Sequence, residues 1–244
     1  MKVLAWLTVL FLPHLGWAQV EVTPLDLGIS NVYHVQCGTV GVLVDACEPD
    51  RVEDILKQLV RKDLDTASIQ YLILTHGHAD HAGGAAGLKH RLGLQVIAGE
   101  AEKSLLARGR NPHLHATSNL GTWVDKHVVK VDSFPPVAAD HWVVDSMELS
   151  SLGLPGVLLN LPGHTAGSLV WQIGDQAFVG DLIRGALLAG HRPRRHFFHE
   201  DAELAESHLS FLLDRGVMLF YPGHKGQLTA KRITSYLSQN SPQP

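Results

Sequence analysis

The chain has 244 residues, of which 18% are charged and 45% are hydrophobic, and its formal net charge is −4 at pH 7. This composition is typical of a folded globular protein and excludes a largely disordered chain. Because the sequence is mildly acidic and has no basic tracts, it also argues against nucleic acid as a main partner.

The N-terminal segment has the three parts of a secretory signal peptide. Lys2 supplies the positive start, residues 3–12 form an apolar run, and Gly16-Trp17-Ala18 provides the small residues that signal peptidase accepts. The run is shorter than the roughly 20 residues that a membrane-spanning helix needs. We therefore expect a signal peptide of residues 1–18, cleaved after Ala18, and a secreted or periplasmic product without stable membrane insertion. A retained membrane anchor or an N-terminal strand of the mature chain is the alternative.

A β-hairpin is predicted at the start of the mature chain. Its arms are residues 29–36 and 40–45, and it turns at Cys37-Gly38-Thr39. Cys37 would then lie at the turn and Cys47 near the open end, roughly 25 Å away at about 3.3 Å per strand residue. A disulfide needs two Cα atoms within about 7 Å of each other. We therefore expect two free, partly buried thiols.

Helices and strands alternate through the rest of the chain. Apolar spacing predicts helices at residues 49–60, 82–91, 101–108, 202–213 and 229–237. Strands are predicted at residues 69–74, 94–98, 141–144, 157–161, 168–173, 176–179 and 217–221. This alternation indicates an α/β protein with mixed sheets covered by helices. The segments 109–140 and 185–201 have no readable specificity.

Candidate metal-binding residues follow four of the predicted strands. The sequence Thr-His-Gly-His-Ala-Asp-His occupies residues 75–81, and Gly-His or Gly-Asp pairs follow three other strands. Loops at strand ends are where rigid sheets present reactive groups. Five imidazoles and two carboxylates gathered there would be costly without a cation. The predicted ligands are His76, His78, Asp80, His81, His164, Asp181 and His224.

The seven ligands divide into two sets. His76, His78 and His164 are predicted to bind one ion, Asp80, His81 and His224 a second ion, and Asp181 both. Imidazole and carboxylate ligands suit zinc, so we expect two Zn²⁺ per chain, with iron and manganese as open alternatives. Two ions about 3.5–4 Å apart can share a hydroxide, because the pKa of the bound water falls to near 7.

This pattern resembles the metallo-β-lactamase superfamily over residues 40–224, and the His-x-His-x-Asp-His motif carries the resemblance. The resemblance implies a four-layer αββα sandwich of two mixed β-sheets, formed by residues 19–244, with a dinuclear site at one edge. It also implies the same division of the ligands. The segment Pro-Gly-His-Thr-Ala-Gly-Ser at residues 162–168 is most similar to the glyoxalase II branch.

Three departures qualify the resemblance. Many zinc β-lactamases carry a residue other than aspartate at the position of Asp181, which weighs against antibiotic hydrolysis. His78 replaces the glutamate of the flavodiiron branch, which disfavours a redox di-iron site. Glyoxalase II has a helical substrate domain after the position of His224, where this chain has 20 residues, which weighs against a glutathione thioester substrate.

Two further features are candidates for supporting roles. Asp45 matches a superfamily position that braces the metal loop, and we expect it to orient a histidine or the loop backbone. A helix N-cap or a turn is an equal alternative for Asp45. A basic cluster follows Asp181, and its members Arg184, Arg194, Arg195 and His199 form a candidate rim for an anionic substrate. A solvated loop is the alternative for the cluster, whose other members are His191, Arg192 and His196.

The sequence as a whole predicts an exported metallohydrolase that cleaves an ester, thioester or lactam-like bond of a small molecule with a metal-bridging hydroxide. Asp80 would be catalytic, taking the proton or steering the nucleophile, while the ion of His76, His78 and His164 polarises the carbonyl. One alternative is a mononuclear iron dioxygenase that acts on a persulfide, which the retention of His81 disfavours. Another is an exported metal-binding accessory protein without turnover.

Overall fold

A computed structural model describes residues 20–28 and 30–240. The predicted signal peptide lies outside these residues. The first sheet has six strands in the order β1-β2-β3-β4-β5-β6, with β1 to β3 antiparallel and β3 to β6 parallel. Its strands are β1 (Val20–Leu25), β2 (Val32–Cys37), β3 (Val40–Val44), β4 (Ile69–Ile73), β5 (Gln95–Gly99) and β6 (His141–Val143).

The second sheet also has six strands, in the order β14-β13-β10-β9-β8-β7. It is mixed as well, because β10 and β13 are parallel whereas the other pairs are antiparallel. Its strands are β7 (Ser146–Glu148), β8 (Val157–Asn160), β9 (Leu169–Ile173), β10 (Gln176–Gly180), β13 (Leu219–Pro222) and β14 (Leu228–Thr229). A short ribbon pairs β11 (Arg184–Gly185) with β12 (Pro193–Arg194).

Seven helices accompany the sheets in the described part of the chain. They are α1 (Val52–Arg61), α2 (Ala79–Ala82), α3 (Ala85–Leu92), α4 (Lys103–Arg108), α5 (Asn119–His127), α6 (Ala202–Asp214) and α7 (Ala230–Asn240). Within residues 20–28 and 30–240, no helix combines the length and hydrophobicity needed to cross a bilayer.

Side-chain alternation along the strands separates three buried layers. In β3, Val42 and Val44 pack between the two sheets, whereas Leu43 packs with the helices outside the first sheet. In β9, Trp171 points between the sheets and Val170 packs toward the outer helices of the second sheet. The first outer layer contains residues of α1, α3 and α4, and the other contains residues of α6 and α7. The chain is therefore the predicted four-layer αββα sandwich.

Several predicted elements require correction at their ends. Pro49–Arg51 form a 3-10 turn, so the first long helix begins at Val52 and not at the proline. This helix buries Ile55 and Leu59, whereas Val60, predicted to be on its apolar face, is 72% exposed. One residue advances a helix by about 100°, so the residue after Leu59 lies beside the buried stripe. The segment 109–140, which was unassigned, contains α5.

The two cysteines are free, as predicted. Both thiols are buried, Cys37 at the end of β2 and Cys47 after β3, where the hydroxyl of Ser30 donates to its sulfur at 3.3 Å. Burial raises the pKa of Cys37 to about 11. A thiol of this kind is a small apolar side chain and a poor nucleophile at neutral pH.

His34 in β2 is a buried imidazole whose ring nitrogens have no hydrogen-bond partner among the described residues. Burial lowers its pKa below the usual value of 6.5. Below about pH 6.5 the imidazole of His34 is therefore more protonated in the unfolded chain than in the folded chain. The free energy of unfolding falls as the pH falls for this reason.

We expect His34→Leu to reduce the loss of unfolding free energy between pH 7.5 and pH 5.5, by up to about 1.4 kcal/mol per pH unit. Urea unfolding of chelator-treated protein at the two pH values measures this loss. His90→Leu, at an exposed position in α3, is the control and should leave the loss unchanged. Equal losses in the His34 variant and the unmutated protein would contradict the prediction.

Candidate metal centre

The seven predicted ligands meet at one edge of the sandwich. His76 and His78 follow β4, and Asp80 and His81 lie on the single turn of α2 that comes next. The other three follow strands of the second sheet, His164 after β8, Asp181 after β10 and His224 after β13. The carboxyl ends of the central strands of both sheets thus contribute to one cluster.

His76, His78 and His164, the first triad, converge on one point. Nε2 of His164 lies 3.1 Å from Nε2 of His76 and 3.0 Å from Nδ1 of His78. Three nitrogens bound to one zinc ion at tetrahedral angles are about 3.4 Å apart. All three rings are buried. The first triad therefore has the spacing and chemistry of a zinc site that is closed on three sides.

Asp80, His81 and His224, the second triad, form a neighbouring cluster. Nε2 of His224 lies 3.3 Å from Oδ2 of Asp80 and 3.3 Å from Nε2 of His81. The carboxylate of Asp80 is 31% exposed, whereas His81 is fully buried. The second triad can therefore hold a cation on the more open side of the centre.

Asp181 lies between the two triads. Its Oδ2 is 3.6 Å from Nε2 of His164 in the first triad and 3.3 Å from Nε2 of His224 in the second. Its Oδ1 is buried and has no hydrogen-bond partner among the described residues. A buried carboxylate oxygen is costly unless a donor or a cation compensates it. This position fits a carboxylate shared by two metal ions.

The protonation states of the two triads differ. Burial lowers the pKa of every imidazole in the first triad, that of His78 to about 4. Burial also lowers the pKa of His224, but the carboxylates of Asp181 and Asp80 outweigh it and raise the pKa to about 10. Neutral imidazole is the form that binds a metal. The first triad is therefore ready to bind, whereas a cation must displace a proton from the second.

Comparison with known proteins gives the family. A family model described as the metallo-beta-lactamase superfamily matches residues 25–224. The chain belongs to the metallo-β-lactamase superfamily. The prediction from the His-x-His-x-Asp-His motif is thus confirmed at the level of family and fold.

Curated relatives in the superfamily include hydrolases. The chain is 26% identical over 205 residues to a beta-lactamase-like protein 2 homolog of Caenorhabditis elegans, which covers 82% of this chain and 57% of the relative. It is 31% identical over 134 residues to the hydroxyacylglutathione hydrolase GloC of Haemophilus influenzae, which covers 54% and 56%. The chain thus spans about half the length of these relatives.

Solved structures of the superfamily share the fold. The subclass B3 metallo-beta-lactamase of Bradyrhizobium japonicum matches with a TM-score of 0.59 at 19% identity, over 84% of this chain and 75% of that one. At this identity the likeness establishes the sandwich and leaves the substrate open.

Asp45 supports the metal loop of this superfamily member directly. Its Oδ1 accepts from the backbone N–H of Thr75 at 2.8 Å, and its Oδ2 accepts from the hydroxyl of Thr75 at 2.9 Å. Oδ2 also accepts from Nδ1 of His81 at 2.8 Å, so that Nε2 of the same ring faces Asp181 and the metal site. The backbone of Asp45 is left-handed, with φ at 64°, a conformation that Asp and Asn tolerate best. The contacts correspond to the orienting role, not to a helix cap.

We expect Asp45→Asn to weaken metal binding at the second triad by about 10- to 100-fold. The amide would present N–H to Nδ1 of His81 and so move the ring proton to Nε2, the atom that faces the metal site. Competition with a chelator of known affinity measures the change. Asp50→Asn, at an exposed position, is the control. If Asp45→Asn binds both metals as tightly as the unmutated protein, the orienting role is wrong.

Glu102 is a supporting residue that the sequence analysis missed. Its buried carboxylate accepts from the backbone N–H of Gly77 at 3.0 Å and of Gly167 at 2.9 Å. It therefore ties the loop of His76 and His78 to the loop of His164. These contacts span 25 and 65 residues along the chain, so no local pattern around the predicted helix 101–108 could have indicated them.

His196 was placed in the basic cluster, but the structure brings it to the metal centre. Its ring is 6% exposed, stacks on His224 at a centroid distance of 5.3 Å, and puts Nε2 3.2 Å from Oδ2 of Asp181. Nδ1 of the ring lies 3.1 Å from the carbonyl oxygen of Phe198 and 3.3 Å from its backbone nitrogen. A position 15 residues after Asp181, outside any strand, carried no sequence signal for this role.

The candidate rim is divided in the structure. Arg195 pairs with Glu206 through Nε at 3.0 Å, and His199 is buried with its ring 5.6 Å from that of His164. Arg194 is exposed, whereas Arg184 is 8% exposed with its guanidinium 3.9 Å from the ring centroid of Phe197. Arg195 is thus ion-paired and His199 is buried, whereas Arg184 and Arg194 have no ion-pair partner among the described residues.

Proposed function

We propose that this protein is a hydrolase with two metal sites that cleaves an ester, thioester or lactam-like bond of a small molecule. The observation that carries the proposal is the position of Asp181, with Oδ2 between two triads of ligand atoms and Oδ1 without a partner among the described residues. A site for one ion requires only the first triad. The second triad and the shared carboxylate support a two-metal centre.

In this proposal the first triad would hold one ion and the second triad the other, and Asp181 would be a ligand available to each site. Zinc, when bound, supplies Lewis acidity toward a carbonyl oxygen and lowers the pKa of coordinated water to near 7. Burial raises the pKa of Asp80, but His81 and His224 outweigh it and keep the carboxylate ionised. Asp80 is therefore available to accept a hydrogen bond from water and to orient it.

The cavity at the centre supports a small substrate with an apolar part. It measures about 290 Å³ and reaches the ligands His78, Asp80, Asp181 and His224. Its other walls include the apolar side chains of Leu114, Val124, Val128, Val131, Leu187 and Phe197. Pockets with apolar walls and a few placed polar groups are typical of small-molecule sites.

The test combines elemental analysis with a panel of esters, thioesters and lactams. We expect close to two metals per chain, falling toward one in His224→Ala, and hydrolysis of at least one bond class that falls with the metal. His90→Ala, at an exposed position, is the control and should keep both metals. One tightly held iron with oxygen uptake on a persulfide would replace the proposal with the dioxygenase. Two metals without turnover on any bond class would favour an accessory protein.

We further propose that the chain is exported, on the basis of the N-terminal pattern described above. Intact-mass measurement of protein from the exported fraction should show a chain that begins at Gln19. A mass that retains residues 1–18 would contradict cleavage.

A further inference from the structure

A second cleft adjoins the metal cavity on the side of the β11–β12 ribbon. It measures about 730 Å³ and lies between this ribbon, the start of α5 and the last turns of α7. Arg184, His196 and Phe197 line both the cleft and the metal cavity, so these residues lie where the two meet. The basic side chains that line the cleft are Arg184, Arg192, Arg194, Arg195 and Arg232, and no carboxylate is among its described lining residues.

Most of this positive charge has no ion-pair partner in the part of the chain that the structure describes. Arg195 is ion-paired with Glu206, with NH2 of the arginine 2.9 Å from Oε1 of the glutamate. The other four arginines form no ion pair with any residue in the ranges 20–28 and 30–240. Four unpaired guanidinium groups around one concave surface produce a strongly positive potential, which concentrates anions.

Of the arginines that line the cleft, Arg184 is the most costly to keep charged when no anion is bound. The residue is 8% exposed, and one of its terminal amines donates to the carbonyl of Gly185 at 3.0 Å, whereas its Nε has no hydrogen-bond partner among the described residues. Arg194 is its cross-strand partner in the β11–β12 ribbon. Like charges placed directly opposite each other destabilise a strand pair. A buried charge that has no partner of opposite charge costs still more free energy. Burial and then Arg194 lower the pKa of Arg184, in agreement with this repulsion.

We propose that the cleft binds a multiply charged oxyanion of the phosphate type. The planar fork of arginine matches phosphate and carboxylate oxygens with two parallel hydrogen bonds. The ion would relieve the repulsion between Arg184 and Arg194, and Arg232 of α7 lines the same cleft. Such an anion is either the charged end of a substrate that extends through the shared residues to the metal cavity, or a free ion. The substrate case rests on the proposed function, whereas anion binding does not.

Isothermal titration of the metal-loaded protein with pyrophosphate tests the site. We expect binding that weakens with added salt and at least a tenfold loss of affinity in the double variant Arg194→Gln/Arg232→Gln. Both residues are exposed, so the double variant should fold. Arg61→Gln, exposed on α1, is the matched control and should bind as the unmutated protein does.

A comparison of two variants separates the cleft from the metals, to which pyrophosphate could also bind. Binding at the cleft should survive in His224→Ala, because the cleft does not include that side chain, and should fall in the arginine double variant. Full binding in the arginine double variant would assign pyrophosphate to the metals and overturn the proposal, whatever His224→Ala shows, because the ion of the first triad remains in that variant. The absence of measurable binding to the unmutated protein would also overturn the proposal.

The source of the anion follows from kinetics on any hydrolysed substrate of the panel. If pyrophosphate inhibits competitively and this inhibition is lost in the arginine double variant, the cleft binds the charged end of the substrate. Noncompetitive inhibition or activation, also lost in that variant, identifies a free ion. Failure to find a hydrolysed substrate would count against the proposed function and leave the titration result standing.

Discussion

Asp181→Asn should empty or loosen the second metal site and lower turnover by ~10²-fold or more, which corresponds to about 2.7 kcal/mol of barrier. The substitution keeps the shape of the side chain but removes a negative charge that lies close to both triads. Oδ2 of Asp181 is 3.4 Å from Nε2 of His81 and 3.3 Å from Nε2 of His224, so an amide nitrogen at this position would oppose metal binding. Two cations about 3.5–4 Å apart also repel each other unless an anion lies between them.

Elemental analysis, turnover and the pH profile together check this result. With one ion lost, the pKa of the activated water should rise, and the pH optimum should move to more alkaline values. Asp145→Asn, at an exposed position, is the control for loss of one carboxylate. An Asp181→Asn protein with two metals, full activity and an unshifted pH profile would contradict the assignment of Asp181 as a shared ligand.

Gly223→Ala should also disable the centre, although it removes no ligand. A Cβ at Gly223 would collide with the Asp181 carboxylate and stand 2.5 Å from Cε1 of His81. The backbone has little room to move away, because its N–H donates to the carbonyl of Gly180 at 2.7 Å and its carbonyl accepts from Asn31 at 2.6 Å. Overpacking of this kind costs about 1–3 kcal/mol of stability, and here it displaces the shared ligand Asp181 and one ligand of the second triad.

We expect Gly223→Ala to lose at least one metal per chain and most of its turnover, with a lowered Tm. Gly226→Ala is a close control, because a Cβ there would meet its nearest atoms at 3.5–3.8 Å, an ordinary contact distance. Elemental analysis and thermal unfolding of the two variants side by side make the comparison. Equal metal content in both would show that the glycine is not required for access to the ligands.

The ligand cluster could be predicted because its signals are local. Each ligand comes within a few residues of the end of an apolar strand, and β4, β8, β10 and β13 all form close to their predicted positions. The repeated placement of His and Asp after strands, together with the His-x-His-x-Asp-His motif, was therefore enough to group these side chains. The three-residue strand β7, Ser-Met-Glu, has no buried residue and therefore no apolar pattern to reveal it.

The residues that support the cluster could not be predicted in this way. Glu102 and His196 act through contacts between segments that are distant in sequence. The basic cluster was visible as charge alone. Which of its arginines are paired, as Arg195 is with Glu206, depends on the docking of α6 against the ribbon. Charge composition therefore located this surface, and tertiary packing decided which part of it is free to bind.

The joining of the two metal loops by Glu102 has a thermodynamic consequence. His76 and His78 extend from the first sheet and His164 from the second, and one buried carboxylate fixes the loops to each other. Neither half of the sandwich contains a complete site, so a metal ion binds only when both halves are folded and docked. Its binding free energy is then added to the cooperative unfolding of the whole molecule and not to a local fluctuation of one loop. Removal of the metals by a chelator should therefore lower the Tm of the whole molecule, in one cooperative transition.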